Sequence, residues 1–249
     1  MLPEGCFCAR LDESLISFVW RMSFKHYKYL DILTVLFVTV LLLSNLVTHN
    51  KVCRLGNYVF TSGIILFPLS YLLGDVLTEV YGYARSRRII WIGFWSLIFS
   101  TTIVQIILLM PPADGWYNQR AYETVLGNVP RTVISSIIAF WAGEFTNSFV
   151  IAKMKIFTKG KYLFTRTIGS TVCGEAVDTL IFYPLAFYGL PSFPLELILK
   201  IMITNYTLKV LWEVFATPIT YKVVEFLKKK ENEDYYDYKT DFSPFHVDA

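Results

Sequence analysis

From Ile89 to Met110 the chain carries no charged side chain. A helix needs about 20 such residues to cross a hydrocarbon core of about 30 Å, at roughly 1.5 Å of rise each. A buried core helix could look similar, so composition has to decide. Of 249 residues, 54% are hydrophobic and 17% charged, with a mean hydropathy of +0.46. Soluble domains are nearer 25% charged, and this chain lacks the polar surface to match them. Its surplus apolar material must face something other than water. Five further segments have suitable length: Leu30–Val47, Tyr58–Gly82, Thr132–Ala152, Ile168–Leu190 and Leu199–Lys222. The expected fold is therefore an all-α integral membrane protein, a six-transmembrane-helix bundle. Acid pairs in the second and fifth spans allow two inverted three-helix halves, although their depths match poorly.

The basic residues alternate between loops. Arg10, Arg21, Lys25 and Lys28 precede the first span, and Arg85, Arg87 and Arg88 follow the second. Lys153, Lys155, Lys159, Lys161 and Arg166 follow the fourth, and Lys222, Lys228, Lys229, Lys230 and Lys239 follow or end the sixth. The other loops are poorer in Lys and Arg, which places both termini in the cytoplasm. Residues 1–28 read as a cytosolic lead-in, with Met22 as an alternative start. Residues 29–227 form the membrane domain, and 228–249 a charged, Tyr-rich tail expected to be mobile. A net charge of +3 is too small to suggest a nucleic-acid partner. Cys6 and Cys8 have no neighbouring His or Cys to complete a metal site, and Cys173 falls in an apolar run. Neither a metal nor a cofactor is expected.

Charged groups inside the spans carry the functional signal. A carboxylate at the bilayer centre costs about 2.5–3.5 kcal/mol on insertion scales. The second span nevertheless holds Asp75 and Glu79, and the fourth holds Glu144 and Asn147. The fifth holds Glu175 and Asp178, the sixth Asn205, Lys209 and Glu213, and the first Asn45. Gly143-Glu144-x-x-Asn147 and Gly174-Glu175-x-x-Asp178 repeat one local pattern, a close-packing glycine followed by polar groups on one face. Helix rise puts Glu144 about 18 Å and Asp178 about 15 Å into their spans, near the midplane. Lys209 lies at a similar depth, with Asp178 or Glu144 as its expected partner. Interhelical glue would account for one or two acids, but not for this many against so few cations. A wet polar cavity at the midplane accounts for them better, and secondary transporters bind substrate at such a place. A membrane-embedded enzyme is the rival reading, but no HExxH, paired membrane-depth GxGD or serine elbow is present.

Several motifs are familiar together: Ser44-Asn45; Pro68-Leu69-Ser70-Tyr71-Leu72-Leu73-Gly74-Asp75-Val76-Leu77-Thr78-Glu79-Val80-Tyr81-Gly82; Arg131 with Ser135-Ser136; Arg166-x-x-Gly169-Ser170-Thr171; Asp178-Thr179-Leu180-Ile181-Phe182; and Lys209. Over roughly residues 28–225 the chain resembles the queuosine precursor transporter family, also called the vitamin uptake transporter family. The resemblance implies a carrier in the bacterial cytoplasmic (inner) membrane. It would import a 7-deazaguanine such as preQ0 or preQ1, or the free base queuine. An alternative is the substrate-binding membrane component of a vitamin importer energised by a separate ATPase, since this chain has no Walker motif. Another vitamin-like heterocycle is a further alternative cargo. The implied substrate-binding residues are Asn45, Asp75, Glu79, Arg131, Glu144, Asn147, Glu175, Asp178 and Lys209. Other members can carry amides at the positions of Glu144 and Glu175. A guanine-like base offers N1–H and its exocyclic amine to one carboxylate. Phe140, Trp141 or Phe182 could stack on the ring. The expected partners are this small molecule and membrane lipid, and the oligomeric state stays open.

Overall fold

The computed structural model describes residues 27–48, 52–55, 58–61, 66–127, 130–189 and 194–245. Seven helices and one hairpin occupy them: α1 (Leu30–Thr48), β1 (Val52–Leu55), β2 (Tyr58–Thr61), α2 (Phe67–Tyr81), α3 (Tyr83–Leu109), α4 (Gln119–Leu126), α5 (Pro130–Phe157), α6 (Leu163–Phe187) and α7 (Leu195–Glu231). By length and composition, three helices can cross a membrane: Leu30–Val47, Tyr83–Leu109 and Ile134–Phe157. α6 and α7 are long enough but carry the polar residues noted above. Large apolar side chains of α3, among them Ile92, Trp95, Phe99, Ile106 and Leu109, point outward and are exposed. A surface of that kind suits lipid.

The second expected span needs correction. Tyr58–Thr61 is a strand, paired antiparallel with Val52–Leu55 so that Leu55 faces Tyr58 and Val52 faces Thr61. Hydropathy cannot separate an aromatic, β-branched strand from helix. The helix begins only at Phe67, with Pro68 in its first turn, where the missing N–H costs nothing. At 15 residues it rises about 22 Å, less than a full bilayer crossing. It stops at Gly82, whose φ of +87° breaks the axis between α2 and α3.

The α5–α6 hairpin is the centre of the molecule. α7 packs along α6, α2 lies against α5 and α7, and α1 and α3 close the other side. Phe37, Leu41, Val76, Leu77, Val80 and Phe140 form a buried apolar core between α1, α2 and α5. In lipid such contacts gain by close packing rather than by leaving water, so small residues matter where helices cross. Gly143 and Gly174 make that crossing. A Cβ on Gly143 would meet Asp178 Cβ at 2.9 Å, and one on Gly174 would meet Asn147 Cβ at 2.8 Å. The repeated glycine pattern thus places each glycine against the polar residue of the other copy, a local two-fold arrangement between α5 and α6.

Lys228 lies within α7, which continues to Glu231, and residues 233–245 run as a strap over the basic end of the bundle. Tyr235 N–H donates to Val80 O at 3.3 Å, and the Tyr235 ring covers Gly82. The Asp237 carboxylate accepts from the Tyr83 N–H at the start of α3, at 3.1 Å from both oxygens. Arg87 donates to the carbonyls of Asp241 and Ser243, each at 2.7 Å. Trp91 Nε1 donates to Pro244 O at 2.8 Å. The tail is charged, but its charges and carbonyls match donors at the helix ends, and that match holds it down. In the native protein, trypsin is expected to spare Lys239. The double variant Asp234→Asn/Asp237→Asn should be cut there several-fold faster. Equal cleavage of the two proteins would show that these carboxylates do not hold the strap.

Candidate functional site

The polar residues separate into layers along the bundle. At the basic end, Glu79 from α2 is fully buried and held by three cations. Its Oε2 accepts from Arg166 of α6, and its Oε1 accepts from Lys228 of α7 at 2.6 Å. Lys155 of α5 donates to the Glu79 carbonyl at 2.5 Å, and to Asp234 and the Tyr235 carbonyl at 2.7 Å each. Partial burial pushes the Asp234 carboxyl upward, but its hydrogen bonds to Lys155 and Lys228 outweigh that and hold it below the usual range. Glu79 is therefore saturated. The i, i+4 spacing correctly puts it on the same face as Asp75, yet its partners make it part of an ionic lock.

One layer inward, the hydroxyls of Thr78, Ser86 and Ser148 meet at 2.8–3.2 Å. They tie α2, α3 and α5 together without charge. Next comes Asp75, whose Oδ1 accepts from Asn147 Nδ2 at 2.7 Å and from Ser170 Oγ at 3.4 Å. Asp75 Oδ2 and Asn147 Oδ1 are buried without a hydrogen-bond partner. Gly74, just before Asp75, leaves room for Glu144, whose Oε1 occupies the place a Cβ would take. Both Glu144 oxygens are buried and unpartnered.

Lys209 of α7 closes the cluster, donating to Glu175 Oε2 at 2.7 Å and to Asp178 Oδ2 at 3.0 Å. The expected pairing with Asp178 is present, and the one with Glu144 is not. Glu175 takes that second place because α6 faces α7 directly. Glu213, one turn further along α7, is buried with neither oxygen partnered. Glu144 is in electrostatic range of Glu175, Asp178 and Glu213, and Asp75 in range of Glu144 and Glu213. Asp75, Glu144, Glu175, Asp178 and Glu213 thus share one interior, and Lys209 is the cation that bonds into it among the described residues.

Asn45 lies elsewhere. It donates to Leu41 O at 3.0 Å and accepts from Ser136 Oγ at 2.9 Å, joining α1 to α5. Arg131 is in the first turn of α5, and its side chain is outside the described residues. Phe140 packs into the apolar core against Phe37. Trp141 stacks edge-on with Trp91 and Phe145, and Phe182 with Tyr183 and Phe187. Tyr71, Thr171 and Glu213 join the cluster beyond the predicted set. Tyr71 lies against both crossing glycines, and Thr171 Oγ1 is buried and unpartnered. Their signal in the sequence was position, one turn from Asp75, Glu175 and Lys209 respectively. No group of three metal-ligating side chains occurs among the described residues.

Chemically, the cluster is an acceptor-rich, buried interior. Each uncompensated ion held there costs several kcal/mol. Both oxygens of Glu144 and of Glu213, and Asp75 Oδ2, are open acceptors.

Residues 61–223 match the family described as "Putative vitamin uptake transporter". The chain is 31% identical over 182 residues to the "Probable queuosine precursor transporter" of Bacillus subtilis, covering 73% of this chain and 79% of that protein. It is 25% identical over 208 residues to the "Queuosine precursor transporter" of Escherichia coli, covering 83% and 91%. A "Probable queuosine precursor transporter" of Haemophilus influenzae is 21% identical over 128 residues, covering 51% and 52%. No solved structure matches the chain significantly. The family match takes in every carboxylate of the cluster and ends before the strap. The chain belongs to the vitamin uptake transporter family, and is a membrane transport protein rather than an enzyme.

Proposed function

We propose that this protein imports a queuosine precursor, a 7-deazaguanine base, across the bacterial cytoplasmic membrane through a six-span bundle in which the short α2 serves as the second span and both termini lie inside. The observation that carries the substrate is Glu144. It is a buried carboxylate with two open acceptors, among further unpartnered oxygens of Asp75 and Asn147. N1–H and the 2-amine of a guanine-like ring are two parallel donors that fit one carboxylate. The names of the relatives support the same substrate class. Asp75, Asn147, Asp178 and Lys209 would then frame the base, while Glu79 and Asn45 hold helices.

The test is uptake of labelled preQ0, preQ1 and queuine by cells lacking their own synthesis and carrier, read as queuosine in tRNA. The wild-type gene should restore the modification. Glu144→Gln should cut uptake at least about tenfold, since a hydrogen bond to a charged group contributes about 1.5–3 kcal/mol. The same variant should leave thermal stability unchanged or raised, because it removes a buried charge that no group in the chain satisfies. Normal uptake by Glu144→Gln would show that this carboxylate does not hold the base. Topology has its own check. A cysteine placed at Lys159 should resist an impermeant thiol reagent added outside, and labelling there would reverse the proposed orientation.

A further inference from the structure

We propose that the cluster selects the cationic, aminomethyl-bearing member of this substrate class, preQ1, over the neutral nitrile-bearing preQ0. This inference rests on the reading of the site given under the proposed function. It follows from an inventory of what the interior leaves open. Lys209 bonds Glu175 and Asp178, which leaves Asp75, Glu144 and Glu213 without a cation among the described residues. Five of the open atoms are carboxylate oxygens: Asp75 Oδ2, both of Glu144 and both of Glu213. Asn147 Oδ1 is a sixth acceptor, fully buried and fixed in orientation by its own amide's bond to Asp75. On the donor side the interior offers the Thr171 hydroxyl, which is buried and unpartnered.

A guanine-like edge can satisfy one carboxylate, Glu144. A second group of acceptors then remains, with Glu213 and Asp75 in electrostatic range of each other and of Glu144. The C7 substituent decides what meets it. An aminomethyl group is an ammonium at neutral pH, with three donors and a positive charge. It forms charge-assisted hydrogen bonds and offsets the excess of buried carboxylates. A nitrile is uncharged and only accepts, so it would set one acceptor against others in a buried interior and leave Glu213 unpaired.

The experiment is competition on purified protein in detergent, with preQ1, preQ0 and guanine each titrated against labelled preQ1, followed by the same series on Glu213→Gln. preQ1 is expected to compete at least tenfold better than preQ0, and Glu213→Gln should narrow that gap several-fold. Because Glu213 has no partner to lose, the variant should run as a single peak at wild-type level on size exclusion. Asp75→Asn serves as the second variant if it does not. Equal or better competition by preQ0 overturns this inference and leaves the substrate reading standing. An undiminished gap in both variants also overturns it, since the selectivity would then arise elsewhere. If neither deazaguanine competes and preQ1 itself does not bind, the substrate reading falls and takes this inference with it.

Discussion

Replacing Lys209 by methionine is expected to abolish uptake and to destabilise the protein by about 3–5 kcal/mol, the usual cost of removing one partner from a buried ion pair. Lys209 bonds two carboxylates, Glu175 at 2.7 Å and Asp178 at 3.0 Å. Both are nearly inaccessible, and Glu144 and Glu213 are close by with no cation of their own. Methionine would keep the volume and remove the charge. The carboxylates would then have to take up protons or separate, and separating them would pull α6 from α7. A compensating change should follow from the same physics. Lys209→Met combined with Glu175→Gln and Asp178→Asn should regain most of the lost stability while staying inactive. Thermal unfolding of the inserted protein and uptake per inserted molecule would read the two effects separately. If the triple variant were no more stable than the single one, the ion triad would not be what joins α6 to α7.

The second large effect is steric. Gly174→Ala is expected to cost about 1–3 kcal/mol and to stop transport. Its added Cβ would lie 2.9 Å from the Gly143 carbonyl and 2.8 Å from Asn147 Cβ. Neither neighbour is the free end of a flexible chain, so the helices themselves would have to part. Gly143→Ala would press on Tyr71 Oη at 2.5 Å and on Asp178 Cβ at 2.9 Å. Parting the crossing moves Asn147 and Asp178 away from Asp75 and Lys209, which dismantles the cluster from its backbone outward. An alanine at Gly115, where nothing lies within 4 Å of a Cβ, serves as a control for position but carries its own backbone strain at φ +86°. Wild-type uptake by Gly174→Ala would mean that the crossing can loosen without disturbing the site.

The helices were legible wherever apolar runs were long, because bilayer thickness imposes their length. The segment before α2 was not, since Tyr58–Thr61 is as apolar as helix and the pairing with Val52–Leu55 is a tertiary fact. Gly56-Asn57 between the two strands was the available hint, being a composition common in tight hairpins. Within the site, spacing put Asp75 and Glu79 on one face, but one turn of rise carries Glu79 into the basic end. Lys209 and Glu213, four residues apart, share a face of α7, yet Lys209 bonds to α6 and leaves Glu213 open. Helical periodicity reports which residues share a face; it does not report which neighbour that face meets. The strap was least legible, because a short charged tail reads as solvated until the donors beneath it are known.

The strap also bears on how the molecule is made. Its partners lie on α2, α3, α5 and α7, all of which precede residues 233–245 in the chain and are synthesised first. The donors at the start of α3 meet Val80 of α2 and Lys155 of α5 on one surface only after those helices have packed, so the full set of strap contacts forms once the bundle has assembled. Its full docking then reports that those helices have packed, and a quality-control protease would find this stretch open in a half-built bundle and covered in a packed one.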